Sequence, residues 1–168
     1  EINLELARAL SDELQHRGFY VFMTRSGDSP VGVSRRSEIA NLAMADVFIS
    51  IQCASWPSGA ARGFKVYYYR PPDRRGARGG GLIDEKLGPR GPADELLWAR
   101  VQEEHVADSR LLARSIHRSL RDGAGLPARG LGAANLSVLA GCAMPAVLVE
   151  VGYLTNRGDA GLLSEWSS

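Results

Sequence analysis

The 168 residues, 45% hydrophobic and 23% charged, fit one globular domain large enough to bury a core without disulfide or metal staples. A formal net charge of +1 leaves no bulk electrostatic case for nucleic-acid binding, and no apolar run approaches the length of a membrane span. Two cysteines, Cys53 and Cys142, are too few for a disulfide framework, although a single bridge stays open in an oxidising compartment.

In chain order, Ile2, Leu4, Leu6, Ala7, Leu10 and Leu14 recur at helical spacing, and His16-Arg17-Gly18 supplies a basic last turn and a glycine stop. The chain opens inside this helical pattern and without a methionine, so a segment upstream of Glu1 is expected. Phe19 to Thr24, aromatic and β-branched, reads as a strand, and Ser26-Gly27-Asp28-Ser29-Pro30 is turn chemistry. A second helix from about Ser34 is expected to bury Ile39, Ala40, Ala43 and Met44. Val47 to Ile51 is a near-continuous apolar run of the kind found in buried parallel strands.

Residues 56–63 read as a loop and residues 64–69 as another strand. Over residues 70–95 the composition turns to Gly, Pro and Arg without period, which predicts a long variable excursion. A long helix is expected from about residue 93 to 120, carrying Leu97, Val101, Leu112, Ile116 and Leu120. Residues 123–132 look like a glycine-rich connection, residues 136–139 and 146–151 like the last two strands, and residues 160–166 like the start of a final helix. Strands separated by helices predict an α/β three-layer sandwich, its central sheet mostly parallel or mixed, with helices on both faces. Working residues in such sheets collect beyond the carboxyl ends of central strands. Gln52-Cys53 and Glu150 fall there.

Glu150 carries the most information. It sits inside Ala146-Val147-Leu148-Val149-Glu150-Val151-Gly152, where an unpaired buried charge is costly. Such a carboxylate is paired, held near a metal, or protonated and ready for acid–base work. The plain structural alternative is a strand-end ion pair with Arg36 or Arg129.

The run Met144-Pro145-Ala146-Val147-Leu148-Val149-Glu150-Val151-Gly152-Tyr153-Leu154-Thr155-Asn156 resembles the C-terminal signature of the zinc-dependent N-acetylmuramoyl-L-alanine amidases. Asn3-Leu4, Thr24-Arg25, Arg36, Ile39-Ala40-Asn41, Ala45-Asp46, Phe48-Ile49-Ser50-Ile51, Val66-Tyr67-Tyr68 and Ser109 agree in the same order, so the resemblance covers nearly the whole chain. It implies hydrolysis of the amide between N-acetylmuramic acid and the L-alanine of peptidoglycan stem peptides, in a periplasmic or extracellular setting at the cell wall. It also implies a zinc ion held by two histidines and a glutamate, with Glu150 as the separate proton shuttle. Gln52 stands at a family zinc-histidine position, in Gln52-Cys53-Ala54 where the family has His-Ala-Asn. The other implied ligands fall before Glu1, and the resemblance makes this a single domain lacking its first strand and metal-binding N-terminal segment. For the chain as it stands, the expectation is no amidase activity. The alternative function is a catalytically silent amidase-like domain that binds peptidoglycan or a partner protein.

A glutamine amide is a poor zinc donor beside imidazole. Cys53 should face away from Gln52 if the strand alternates regularly. His16, His105 and His117 lack ligand-pair spacing and read as structural or solvent-facing. Gly76 to Gly81 lacks the Lys-Ser or Lys-Thr of a phosphate-binding loop. As a basic lip it would meet stem-peptide carboxylates, and as a plain surface loop it would do nothing. Trp56 and the Tyr67-Tyr68-Tyr69 run are candidates for stacking on sugar or for ordinary packing.

Overall fold

A computed structural model describes residues 1–71 and 101–166. The excursion expected over residues 70–95, the glycine run within it and the first turns of the expected long helix therefore lie almost wholly outside the described residues.

The elements run α1 (Ile2–His16), α2 (Val33–Leu42), β1 (Phe48–Ala54), β2 (Phe64–Tyr69), α3 (Val106–Gly123), β3 (Ala128–Ala134), α4 (Ser137–Ala140), β4 (Ala146–Tyr153) and α5 (Arg157–Trp166). The four strands form one sheet in the order β1-β4-β2-β3. β1 pairs β4 and β2 pairs β3 in parallel, whereas β2 and β4 are antiparallel, so the sheet is mixed. β4 is flanked on both edges and covered on both faces, and all eight of its residues are buried. That is why its sequence is nearly unbroken apolar rather than alternating.

Alternation along the strands builds two cores. Phe48, Tyr69, Ala146 and Leu148 face α2 and α4, through Ala40, Leu139 and Ala140. Phe64, Val66, Val147, Val149 and Val151 face α1, α3 and α5, through Ile2, Leu6, Ala113 and Leu163. Helices on both faces of the sheet make the α/β sandwich expected from the sequence.

Several local expectations change. Phe19 to Thr24 is not a strand: it joins no ladder among the described residues, and Phe19, Tyr20 and Phe22 are exposed. Among the described residues the outer side of β1 carries no ladder partner, so the aromatic and β-branched composition of this segment is not matched by pairing there. The glycine-rich stretch read as a connection is instead β3. A Cβ on Gly132 would lie 2.3 Å from the Tyr67 ring, so glycine is there to let the aromatic side chain of β2 cross it. Gly130, at φ +84, sits where the β2–β3 register shifts. Residues 136–139 are not a strand but a single helical turn, closed by Leu139 and Ala140 N–H groups on the Leu136 carbonyl; so short an apolar run does not distinguish the two periods. Helix α3 begins afresh at Val106, after a turn at residues 104–105. Met44 is exposed in a left-handed turn at φ 48 rather than buried.

Candidate active site

Register brings the two sequence candidates together. Gln52 on β1 is the direct parallel partner of Glu150 on β4, and Lys65 on β2 is the antiparallel partner of Glu150 from the other side. Directly opposed residues share a sheet face. The row Gln52–Glu150–Lys65 thus crosses three strands on the α2 side, in line with Leu148 and Tyr67. Cys53 points the other way and packs in the core beneath α1 and α3. Its backbone N–H donates to Asn3 Oδ1 at 2.7 Å. Cys142 lies in the core on the opposite face, and both thiols are free.

Glu150 is only 6% exposed, and together with Gln52 and Tyr67 it lines a groove of about 1150 Å³. The groove runs between α1, residues 19–33, α2 and the outer edge of β1. Burial first, then the charge of Glu150 and a hydrogen bond donated to its carboxylate, push the Tyr67 hydroxyl up to about 12. Tyr67 therefore remains a proton donor to Glu150 at any ordinary pH. Arg129 extends this cluster: its guanidinium lies 5.3 Å from the centre of the Tyr153 ring, and its charge also reaches Tyr67. The strand-end ion pair is not what is found. Arg36 instead donates from Nε to the Val31 carbonyl at 3.0 Å, and no arginine among the described residues forms an ion pair with Glu150. Burial lowers the Arg36 pKa.

The residues after Glu150 hold β4 in place. Gly152 adopts φ +70, and a Cβ there would meet Leu163 Cδ1 at 2.9 Å. Thr155 Oγ1 accepts from Trp56 N–H at 2.9 Å, tying down the loop after β1. Asn156 donates to the Gly59 carbonyl at 2.8 Å, while its Oδ1 accepts from Gly158 N–H at 3.1 Å and Asp159 N–H at 3.2 Å, capping α5. The signature is thus a strand, a turn and a helix cap that fix Glu150 from its C-terminal side. At the other end, buried Gln102 donates to the Cys142 and Met144 carbonyls at 2.9 and 2.7 Å. Ser109 Oγ links Gln102 Oε1 to the Ala146 N–H at 3.2 and 2.9 Å. Gln102 escaped the sequence reading because a lone polar residue in a helical pattern normally faces water.

The donor set for zinc does not close. Gln52 offers a neutral amide and Glu150 a single carboxylate. Among the described residues there is no group of three or more His, Cys, Asp or Glu side chains that could hold a metal ion. His16, His105 and His117 do not line the groove. His117 packs its ring 5.5 Å from Phe64, and its Nε2 has no hydrogen-bond partner. Glu1 is exposed and does not line the groove.

A family model described as N-acetylmuramoyl-L-alanine amidase matches residues 1–167. The amidase LytC of Bacillus subtilis is 27% identical over 165 residues, a match covering 98% of this chain and 27% of that protein. AmiC of Neisseria meningitidis serogroup B is 29% identical over 177 residues, covering 98% of this chain and 42% of that protein. This chain therefore spans less than half the length of either relative. The amidase structure from Clostridium difficile 630 shares the fold at TM-score 0.72 and 22% identity, covering 99% of this chain and 74% of that one. The catalytic domain of CwlV from Bacillus (Paenibacillus) polymyxa aligns at TM-score 0.63 and 26% identity, with the same coverage.

Proposed function

This chain belongs to the N-acetylmuramoyl-L-alanine amidase family, and from that premise we propose that it forms the part of a peptidoglycan amidase that carries the acid–base carboxylate, Glu150. The reaction is hydrolysis of the amide between the lactyl group of N-acetylmuramic acid and the L-alanine of the stem peptide, at the cell wall. The observation that carries this is a buried carboxylate that lines a large groove with Gln52 and Tyr67 and that no arginine among the described residues pairs with.

In this role Glu150 accepts the proton of the attacking water and delivers it to the departing alanine nitrogen. Tyr67 holds the carboxylate in orientation, and the walls of β1, β2 and β4 keep bulk water from it. Zinc is the ion the family resemblance implies, and the side chains of the described residues do not fit it, so no step is assigned to it. We propose that residues 1–168 are one domain, with residues 70–95 as a variable excursion.

The test is release of stem peptide from purified cell wall by the full-length protein with zinc supplied, followed by labelling of new alanine amino groups. Glu150→Gln should lower the rate by about 10²–10⁴-fold. No release by the unaltered protein would overturn the amidase assignment. Cell-wall binding without turnover would instead support the silent binding domain that Gln52 motivates.

A further inference from the structure

Two cations seated on Tyr67 and Tyr153 are left over by the proposed reaction. Lys65 is the direct cross-strand partner of Glu150, and Arg129 follows Ala128, the β3 residue opposite Phe64. Lys65 does not turn toward Glu150. Its ammonium lies 4.7 Å from the centre of the Tyr67 ring, and its Cε lies 3.1 Å from where a Gly132 Cβ would be. Arg129 is seated in the same manner on Tyr153. Neither cation forms an ion pair among the described residues, where the six ion pairs involve other groups.

Aromatic seats matter here. An ordinary surface lysine samples many rotamers, and ordering it for a ligand costs binding energy. A cation resting on a ring face is already partly desolvated and positioned. The glycine at position 132 lets Tyr67 and Lys65 lie across β3, so the platform is built by the backbone of the neighbouring strand. Two such cations on the adjoining strands β2 and β3 repel further cations and attract an anion, and the planar guanidinium suits a carboxylate.

Resting on the amidase reading above, we infer that Lys65 and Arg129 form a carboxylate-binding subsite. It takes the free carboxylates of an acidic peptide and so sets the scissile amide against Glu150. The class of substrate selected is a muramoyl peptide whose second residue keeps its carboxylates free, in preference to the amidated form. Binding through this subsite needs no metal.

The probe pair is N-acetylmuramoyl-L-alanyl-D-glutamate and its diamide, titrated calorimetrically into the full-length protein with a chelator present to prevent turnover. The acidic probe should bind at least about ten-fold more tightly than the diamide, with the difference shrinking as salt rises. Lys65→Met and Arg129→Gln should each weaken binding of the acidic probe about five- to ten-fold and leave the diamide unchanged. The probe comparison uses the unaltered protein, so a folding defect in either variant leaves it intact. Equal affinity for the two probes, or variants that bind the acid as tightly as the parent, would overturn the subsite. Charge-selective binding by a protein that releases no stem peptide would instead sink the amidase reading and spare this one.

Discussion

Asp159→Ala tests what holds the site strands together. The Asp159 side chain is fully buried, and its Oδ2 accepts the Gly63 N–H at 2.6 Å and the Tyr153 N–H at 3.0 Å. One carboxylate thus joins the start of β2 to the end of β4, the two strands that bring Lys65 and Glu150 into register. Its other oxygen lies 3.8 Å from Arg62 Nε without a hydrogen bond. Alanine would leave two buried N–H groups without an acceptor, at about 1–3 kcal/mol each. The small cavity left behind adds to this, giving roughly 3–6 kcal/mol in all. That is a large share of the roughly 5–15 kcal/mol that stabilises a typical domain. Asp159→Asn keeps one acceptor oxygen and should lose only about 1–3 kcal/mol. Urea unfolding followed by tryptophan fluorescence reads both, as a lowered midpoint at constant slope. An alanine variant within about 1 kcal/mol of the parent would refute the claim that this carboxylate latches β2 to β4.

Gln52→His in the full-length protein should raise zinc affinity, measured by competition with a chromogenic chelator; unchanged affinity would mean that position 52 does not face the ion. Tyr67 and Tyr69 are both pushed up to about 12, chiefly by burial, so folding favours their protonated forms. Their contribution to stability is whole below the ordinary tyrosine pKa near 10 and is lost as pH rises through about 12. Unfolding midpoints should accordingly fall over that window, and phenolate absorbance should show two late-titrating tyrosines. Cys142 is fully buried, with its thiol pushed up to about 12 by that burial, whereas Cys53 is only half-buried. A thiol reagent should therefore modify Cys53 well before Cys142 in the native protein, and mass spectrometry of the intact chain should show no bridge between them.

The parts legible in the sequence are those whose pattern and environment agree. β2 and β4 read directly because Phe64–Tyr69 and Ala146–Tyr153 are dense in β-branched and aromatic residues and sit centrally in the sheet. Glu150 stood out because a carboxylate in that setting violates the local pattern; its neighbour Gln52 stood out by its place after the apolar run ending at Ile51, and only its metal-ligand position came from family resemblance. β3 was hidden because its glycines carry no side chain to mark a face; their purpose is visible only once Tyr67 lies across Gly132. The extended segment at Phe19 failed for the opposite reason. Its composition favours a strand, but a strand needs a paired edge, and composition does not supply one. The Lys65 and Arg129 seats were invisible for want of register, since 64 residues of sequence separate two side chains that adjoining strands bring together.

The outer flank of β1 has a consequence for residues 1–168 studied by themselves. Among the described residues, no strand pairs with the outer side of Phe48–Ala54, and Tyr20, Phe22 and Val47 stand exposed beside it. Such a rim welcomes any extended polypeptide, including another molecule of the same kind. Residues 1–168 kept in isolation should clump as concentration rises, and a charged residue in place of Val47 should delay it.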